Sequence, residues 1–128
     1  MPYGRGMKRF EFWPLNPRLL PNFQVTFMSP SMSHVTLDET SLRVQMGLGF
    51  RTTIPRADIT SVVRDHDSIV GIGAHGLRGR WLVNTSAEGL VRVEIDPSTR
   101  VWVFGWPLRL AELRLSLVEA DEFVAEFA

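Results

Sequence analysis

"SLRVQMGLGFRTTI", residues 41–54, decides the fold of this chain: Leu42, Val44, Met46, Leu48, Phe50 and Ile54 alternate with Arg43, Gln45, Gly47, Gly49, Arg51 and Thr53. A period of two belongs to a strand with one buried face, because successive side chains leave a strand on opposite sides. The run exceeds a typical strand, and the glycines at 47 and 49 permit a reversal, so two strands joined by a hairpin at "MGLG" are expected. Upstream, "QVTFM" and "HVTL" read as strands, the second leading through the turn-forming "DETS". Downstream, "ITSVVR" follows "IPRAD" as another short strand.

Further along, "RGRWLVN" and "LVRVEID" match as an antiparallel hairpin with Asn84 opposite Leu90, Val83 opposite Val91, Trp81 opposite Val93 and Gly79 opposite Ile95. Arg80 then falls opposite Glu94 and Arg78 opposite Asp96, pairs worth roughly 0.2 to 1 kcal/mol each. A slip of one residue would move Arg80 to the face of Val91 and Val93, which burial forbids. "TSAEG" becomes the connecting loop and "DPST" a type I turn. It leads into "VWVFGW", with Val101 and Val103 on one face and Trp102, Phe104 and Trp106 on the other, and later into "LRLSL". A strand apolar on both faces is normally covered twice, which marks Trp102, Phe104 and Trp106 as interface candidates and a homodimer as an expectation. "VEADEFVAEFA" reads as a C-terminal helix over 118–127, with Ala120, Phe123, Val124 and Phe127 on one face and acidic residues in the first turn, where the helix dipole favours them.

With 128 residues, 45% hydrophobic and 22% charged, the chain fits one soluble domain: an extended segment over 1–22 and a β domain over 23–128 ending in the helix. Glu11, Pro14, Pro17, Arg18 and Pro21 interrupt any apolar run near the start, so no export segment is evident and an extended path is expected, with Phe10, Phe12, Trp13 and Leu15 docking on the body. No 18-residue apolar stretch occurs, and a cytoplasmic location is expected. Cysteine is absent, which excludes thiolate catalysis and cysteine metal sites. Fourteen basic residues balance fourteen acidic ones, so no global field attracts polyanions, and nucleic acid is not an expected partner. The charge is uneven, with Arg5, Lys8, Arg9 and Arg18 near the start and Glu112, Glu119, Asp121, Glu122 and Glu126 near the end, so head and tail are expected to attract.

Gly71, Gly73 and Gly76 spell G-x-G-x-x-G. A dinucleotide fingerprint needs a helix after the glycines, whereas here "RWLV" follows, a strand. The glycines are read as bending the chain, with His75, Arg78, Arg80 and Asn84 fixing the hairpin and offering at most a small anion nest. His34, His66 and His75 show no metal-ligand spacing, and Ser, His and Asp occur without a nucleophile elbow. No catalytic residue, metal or cofactor is assigned. Asn84-Thr85-Ser86 reads as the entry to a loop.

Two resemblances add to these readings. The stretch Gly73, His75, Gly76, Arg78, Gly79, Arg80, Trp81, Leu82, Val83 and Asn84 is similar to a G-x-H-G-x-R-G-R-W-L-V-N stretch found in a group of small bacterial proteins, a likeness that implies a shared fold and carries no activity. By element order, the chain resembles the pleckstrin-homology-like barrel: two near-orthogonal antiparallel sheets capped by a C-terminal helix. The expected fold class is therefore mainly β, two-sheet or barrel, with one amphipathic helix. That likeness implies a non-catalytic binding or scaffold module contacting another protein or a second copy; the alternative is a small-molecule or anion binder, or an enzyme, with a site near residues 71–84. Phosphoinositides are disfavoured because the first hairpin loop, "MSPSMS", carries no charge.

Overall fold

The alternating segments become strands in the computed structural model, which describes residues 7–12, 33–47, 49–65, 73–77, 79–84 and 88–128. In chain order they are β1 (Lys8–Phe10), β2 (His34–Leu37), β3 (Ser41–Met46), β4 (Phe50–Pro55), β5 (Ile59–Arg64), β6 (Gly73–Leu77), β7 (Arg80–Asn84), β8 (Leu90–Val103) and β9 (Trp106–Ser116), followed by a helix, α1 (Ala120–Ala125). The protein is thus mainly β with a short C-terminal helix. "QVTFM", residues 28–32 of "MSPSMS", Trp13 and Leu15 lie outside the described residues.

β3 and β4 form the expected hairpin, with Met46 opposite Phe50 and Leu42 opposite Ile54. Gly47 adopts a φ of 55°, the left-handed conformation that costs glycine little. In "DETS", the Asp38 carboxylate accepts the backbone N–H groups of Thr40 and Ser41, each at 2.8 Å, which reverses the chain between β2 and β3.

The strands pair in the order β1-β2-β3-β4-β8-β9-β7-β6, and β5 joins β8 beside β4. β4 and β5 therefore share one edge of the long β8, β4 against Val101–Val103 and β5 against Val91–Ile95. Between them the ladder is interrupted: five steps from Glu94 to Thr99 on β8 match two steps from Glu112 to Leu110 on β9. Extra residues on one strand bend and twist it. The β8–β9 hairpin thus serves two halves, β1–β4 along one part and β5, β7 and β6 along the other. Among the described residues no pairing joins β1 to β6, so the sheet is open.

"DPST" accordingly lies inside β8 at this interruption rather than forming a turn between strands, and the Asp96–Pro97 peptide is cis. "VWVFGW" is not one strand either. Phe104 and Gly105, with φ of 50° and 80°, make a two-residue turn of the primed kind between β8 and β9, so Val103 faces Trp106. Trp106 consequently shares a face with Val103 and not with Trp102.

β7 does not pair with β8. β9 lies between them, parallel to β7 and antiparallel to β8. The levels nevertheless agree with the sequence register: Trp81 faces Leu113, which faces Val93, and Val83 faces Leu115, which faces Val91. Arg80 faces Glu112, which in turn faces Glu94, so its direct partner is Glu112 and not Glu94. Arg78 lies outside the described residues.

Inward-facing Val35, Leu37, Leu42, Val44, Phe50 and Ile54 meet Val91, Val93, Leu113 and Leu115 in one core, all 1% exposed or less. α1 closes one end of it and is shorter than the expected 118–127. Phe123 is fully buried with its ring edge-on to Phe10 at 5.1 Å, while Val124 and Phe127 pack partly buried beside it. The extended head joins the body here: β1 pairs with β2, Phe12 bridges to Leu117, and Lys8 Nζ lies 2.7 Å from Glu126 Oε2. Head and tail do attract.

Candidate functional site

The glycine-rich stretch is a hairpin, not a phosphate loop. Gly73 and Gly76 lie in β6, opposite Asn84 and Trp81 of β7, and a strand follows where a dinucleotide site needs a helix. His75 stands opposite Leu82, and Gly71 lies outside the described residues. The turning residue is Gly79, with a φ of 83°; its carbonyl accepts the N–H groups of Ala111 at 2.7 Å and Glu112 at 3.1 Å. Arg80 donates from Nε to Glu112 Oε2 at 3.0 Å. This hydrogen bond and the charge of Glu112, with a smaller contribution from Glu94, raise the guanidinium pKa above its ordinary value. Of the four residues read as an anion nest, Arg80 is therefore engaged by a carboxylate, while His75 and Asn84 occupy adjacent strands.

The three aromatic candidates separate. Phe104 and Trp106 stand at the β8–β9 tip, each 71% exposed. Phe104 donates its backbone N–H to the Gly49 carbonyl at 3.0 Å, and its ring covers Gly49 so closely that an added Cβ would lie 2.9 Å from it. Trp102 points to the other face of β8, half-buried, with the Arg100 guanidinium carbon 5.9 Å from its ring centroid, within cation–π range.

That other face holds what sequence reading missed. Inward-facing hydrophobics fix the alternation, so their neighbours must face out together. One rung across β2, β3, β4, β8 and β9 reads His34, Gln45, Arg51, Trp102, Pro107. Beside it lie Thr36, Arg43 and Thr53, then Arg100 opposite Arg109. Two grooves flank Trp102. One of about 490 Å3 is lined by Arg43, Arg51 and Arg100 with His34, and one of about 770 Å3 by Arg100, Arg109, Ser98 and Pro107. Among the described residues no carboxylate lines either groove.

Charge pairing elsewhere makes the contrast clear. Lys8, Arg9, Arg64, Arg80, Arg92 and Arg114 each lie within 4 Å of a carboxylate. Among the described residues no carboxylate lies that close to Arg43, Arg51 or Arg100. Like charges directly opposite one another on a sheet are destabilising. Where Arg92 faces Arg114, Glu94 stands 3.7 Å from the first and Asp65 3.5 Å from the second; Arg100, which faces Arg109, has no carboxylate within 4 Å among the described residues. At the edge of the basic face, burial first and the charge of Arg9 second hold the His34 imidazole below its ordinary pKa of 6.5. Arg9 itself is bound to Glu11 at 2.7 Å.

The arrangement offers fork-shaped cationic donors and a flat ring on an open sheet. Among the described residues no three His, Asp or Glu side chains converge to hold a metal, and no helix is long and apolar enough to cross a membrane. Comparison of the chain with protein-family models, curated proteins and solved structures returns no match.

Proposed function

We propose that the protein is a non-catalytic binding module that receives an anionic partner on the outer face of β2, β3, β4, β8 and β9. The observation that carries this reading is the gathering of Arg43, Arg51 and Arg100 on one face with, among the described residues, no carboxylate within 4 Å of them. A protein gains nothing in stability from clustering like charges, so an external anion is the natural counter-charge. Guanidinium groups suit this role because they hold carboxylate or phosphate oxygens with two parallel hydrogen bonds. The alternative site near residues 71–84 has less support, since Arg80 is occupied by Glu112. The element order, strands followed by one C-terminal helix, supports a pleckstrin-homology-like reading. The test is retention on a heparin column: a variant carrying Arg43→Gln, Arg51→Gln and Arg100→Gln should elute at lower salt than the parent, with Arg64→Gln as the control. Equal elution of triple variant and parent would sink the reading.

A second reading concerns the hairpin tip. A bulky residue at positive φ is an outlier that the surroundings must sustain, and here Phe104 holds that strain beside the equally exposed Trp106. This supports a contact with a second copy of the chain. Light scattering should then show a dimer that Phe104→Ser with Trp106→Ser dissociates; a monomer at high micromolar concentration removes the dimer.

A further inference from the structure

We infer that the anionic partner is single-stranded nucleic acid, an inference that rests on the basic-face reading above. Four strands that are neighbours in the sheet, β3, β4, β8 and β9, each present one arginine to this face: Arg43, Arg51, Arg100 and Arg109. Neighbouring strands lie about 4.8 Å apart, so the row extends over roughly 14 Å. One phosphate or carboxylate is much narrower than that; a chain of successive phosphates is not. Trp102 stands within the row, part of both grooves, so the two form one path past its ring.

The ring separates nucleic acid from other polyanions. An acidic peptide or a sulfated sugar is satisfied by the arginines alone, whereas a base stacks on an aromatic face, and arginines beside such a platform are the combination that single strands use. Duplex is disfavoured because its bases are already stacked on one another and inaccessible to a ring on a sheet. Gln45, Thr53, Ser98 and Thr99 add uncharged donors and acceptors beside the path, which suits sugar and phosphate contact without a demand for sequence. The balance of charge over the whole chain does not oppose this, since the field that a strand meets is that of the face, where among the described residues no carboxylate lies within 4 Å of Arg43, Arg51 or Arg100 and Glu11, near His34 at the edge, is bound to Arg9.

The experiment is fluorescence anisotropy of a labelled short oligothymidylate against the full chain across a salt series. Binding should weaken with salt, and the log–log slope should flatten by about 0.7 for each of Arg43, Arg51 and Arg100 that is changed to Gln. Trp102→Ala should weaken binding roughly tenfold, the loss of one stacked base, while Trp102→Phe, which keeps a ring, should retain most of the affinity. Near-ultraviolet circular dichroism of each variant establishes that it is folded. Thymidine monophosphate at matched phosphate concentration should compete poorly. If polyglutamate or heparin binds through the arginines while the oligonucleotide binds no better and Trp102→Ala has no effect, the basic face stands and the nucleic-acid inference falls. If mononucleotide competes as well as the oligomer, a single-phosphate site replaces it. If no polyanion binds, both fall together.

Discussion

Trp81 shows how a single position couples strand register to the core. It is 9% exposed, lies level with Leu113 and Val93, and its ring is 5.7 Å from that of Phe50 across the core. Trp81→Ala should cost roughly 3 to 5 kcal/mol, since truncating a large buried side chain loses transfer energy and leaves a cavity; chemical denaturation measures this. Arg80 tests the neighbouring rung. A double-mutant cycle should find coupling between Arg80 and Glu112 and a smaller one between Arg80 and Glu94, because only the first pair is in contact. Two titrations follow from surroundings. Backbone amides hold the Asp38 carboxylate below its ordinary pKa of 3.8, so its stabilising contribution is full above that value and is lost as pH falls through the lower folded-state pKa. His34 is also depressed, so the unfolded chain takes up its proton first and stability declines as pH falls below about 6.5. His34→Gln should flatten thermal stability between neutral pH and pH 6, and Asp38→Ala should flatten its fall at acid pH. The turn at Asp38 was legible from residue type alone, whereas the depression at His34 arises first from burial and second from the charge of Arg9, both set by tertiary pairing that brings β1 against β2.

Elements were legible to the extent that local chemistry determines them. The β3–β4 hairpin follows from alternation plus a glycine that tolerates positive φ, both visible within fourteen consecutive residues. The β7 register was legible in level but not in neighbour. Alternation tells which residues face the core and at what height, yet Val93 and Leu113 are equally apolar, and Glu94 and Glu112 equally acidic, so no local signal reveals that β9 intervenes. The β8–β9 tip was misread because "VWVFGW" alternates through the turn; nothing in a period of two distinguishes Phe104 in a strand from Phe104 at a φ of 50°. That strain gives an element-scale prediction. Phe104→Asn places at this position a residue that accepts the left-handed conformation, ahead of Gly105 in the favoured Asn-Gly order, and should raise the melting temperature by relieving about 1 kcal/mol. Dependence of any dimer on the same residue would show that the strain is retained for contact. For α1, Phe123→Ala should cost roughly 3 to 5 kcal/mol, as its ring is fully buried against Phe10.

At the scale of the molecule, the two charge signs are equal in number and unequal in place. The basic face was the least legible feature, because its arginines are scattered from residue 43 to residue 109 and meet only through strand order. One signal was present: between 41 and 54 every charged residue at an outward position is arginine, with no acid to answer it. Stability and binding should therefore oppose each other here. Arg100→Glu puts opposite charges across from Arg109 and should stabilise the fold by roughly 0.2 to 1 kcal/mol, while weakening retention on heparin. A rise in melting temperature together with earlier elution would identify Arg100 as kept for its ligand at the expense of the fold.

The interposition of β9 also sets an order of events during synthesis. Within the meander from His34 to Pro55, β2–β3 and β3–β4 join strands adjacent in sequence and can assemble as soon as they leave the ribosome, before β8 arrives to pair with β4. β7 cannot be completed then, because its partner residues, Glu112 to Leu115, are translated some thirty positions later. Until they emerge, the apolar faces of β7 and β8 have no strand between them, and collapse of one onto the other is the obvious wrong pairing, in the same register the native sheet uses. Closing so distant a parallel contact is intrinsically slow. The nascent chain thus depends on β9 arriving to divide two strands that would otherwise pair with each other.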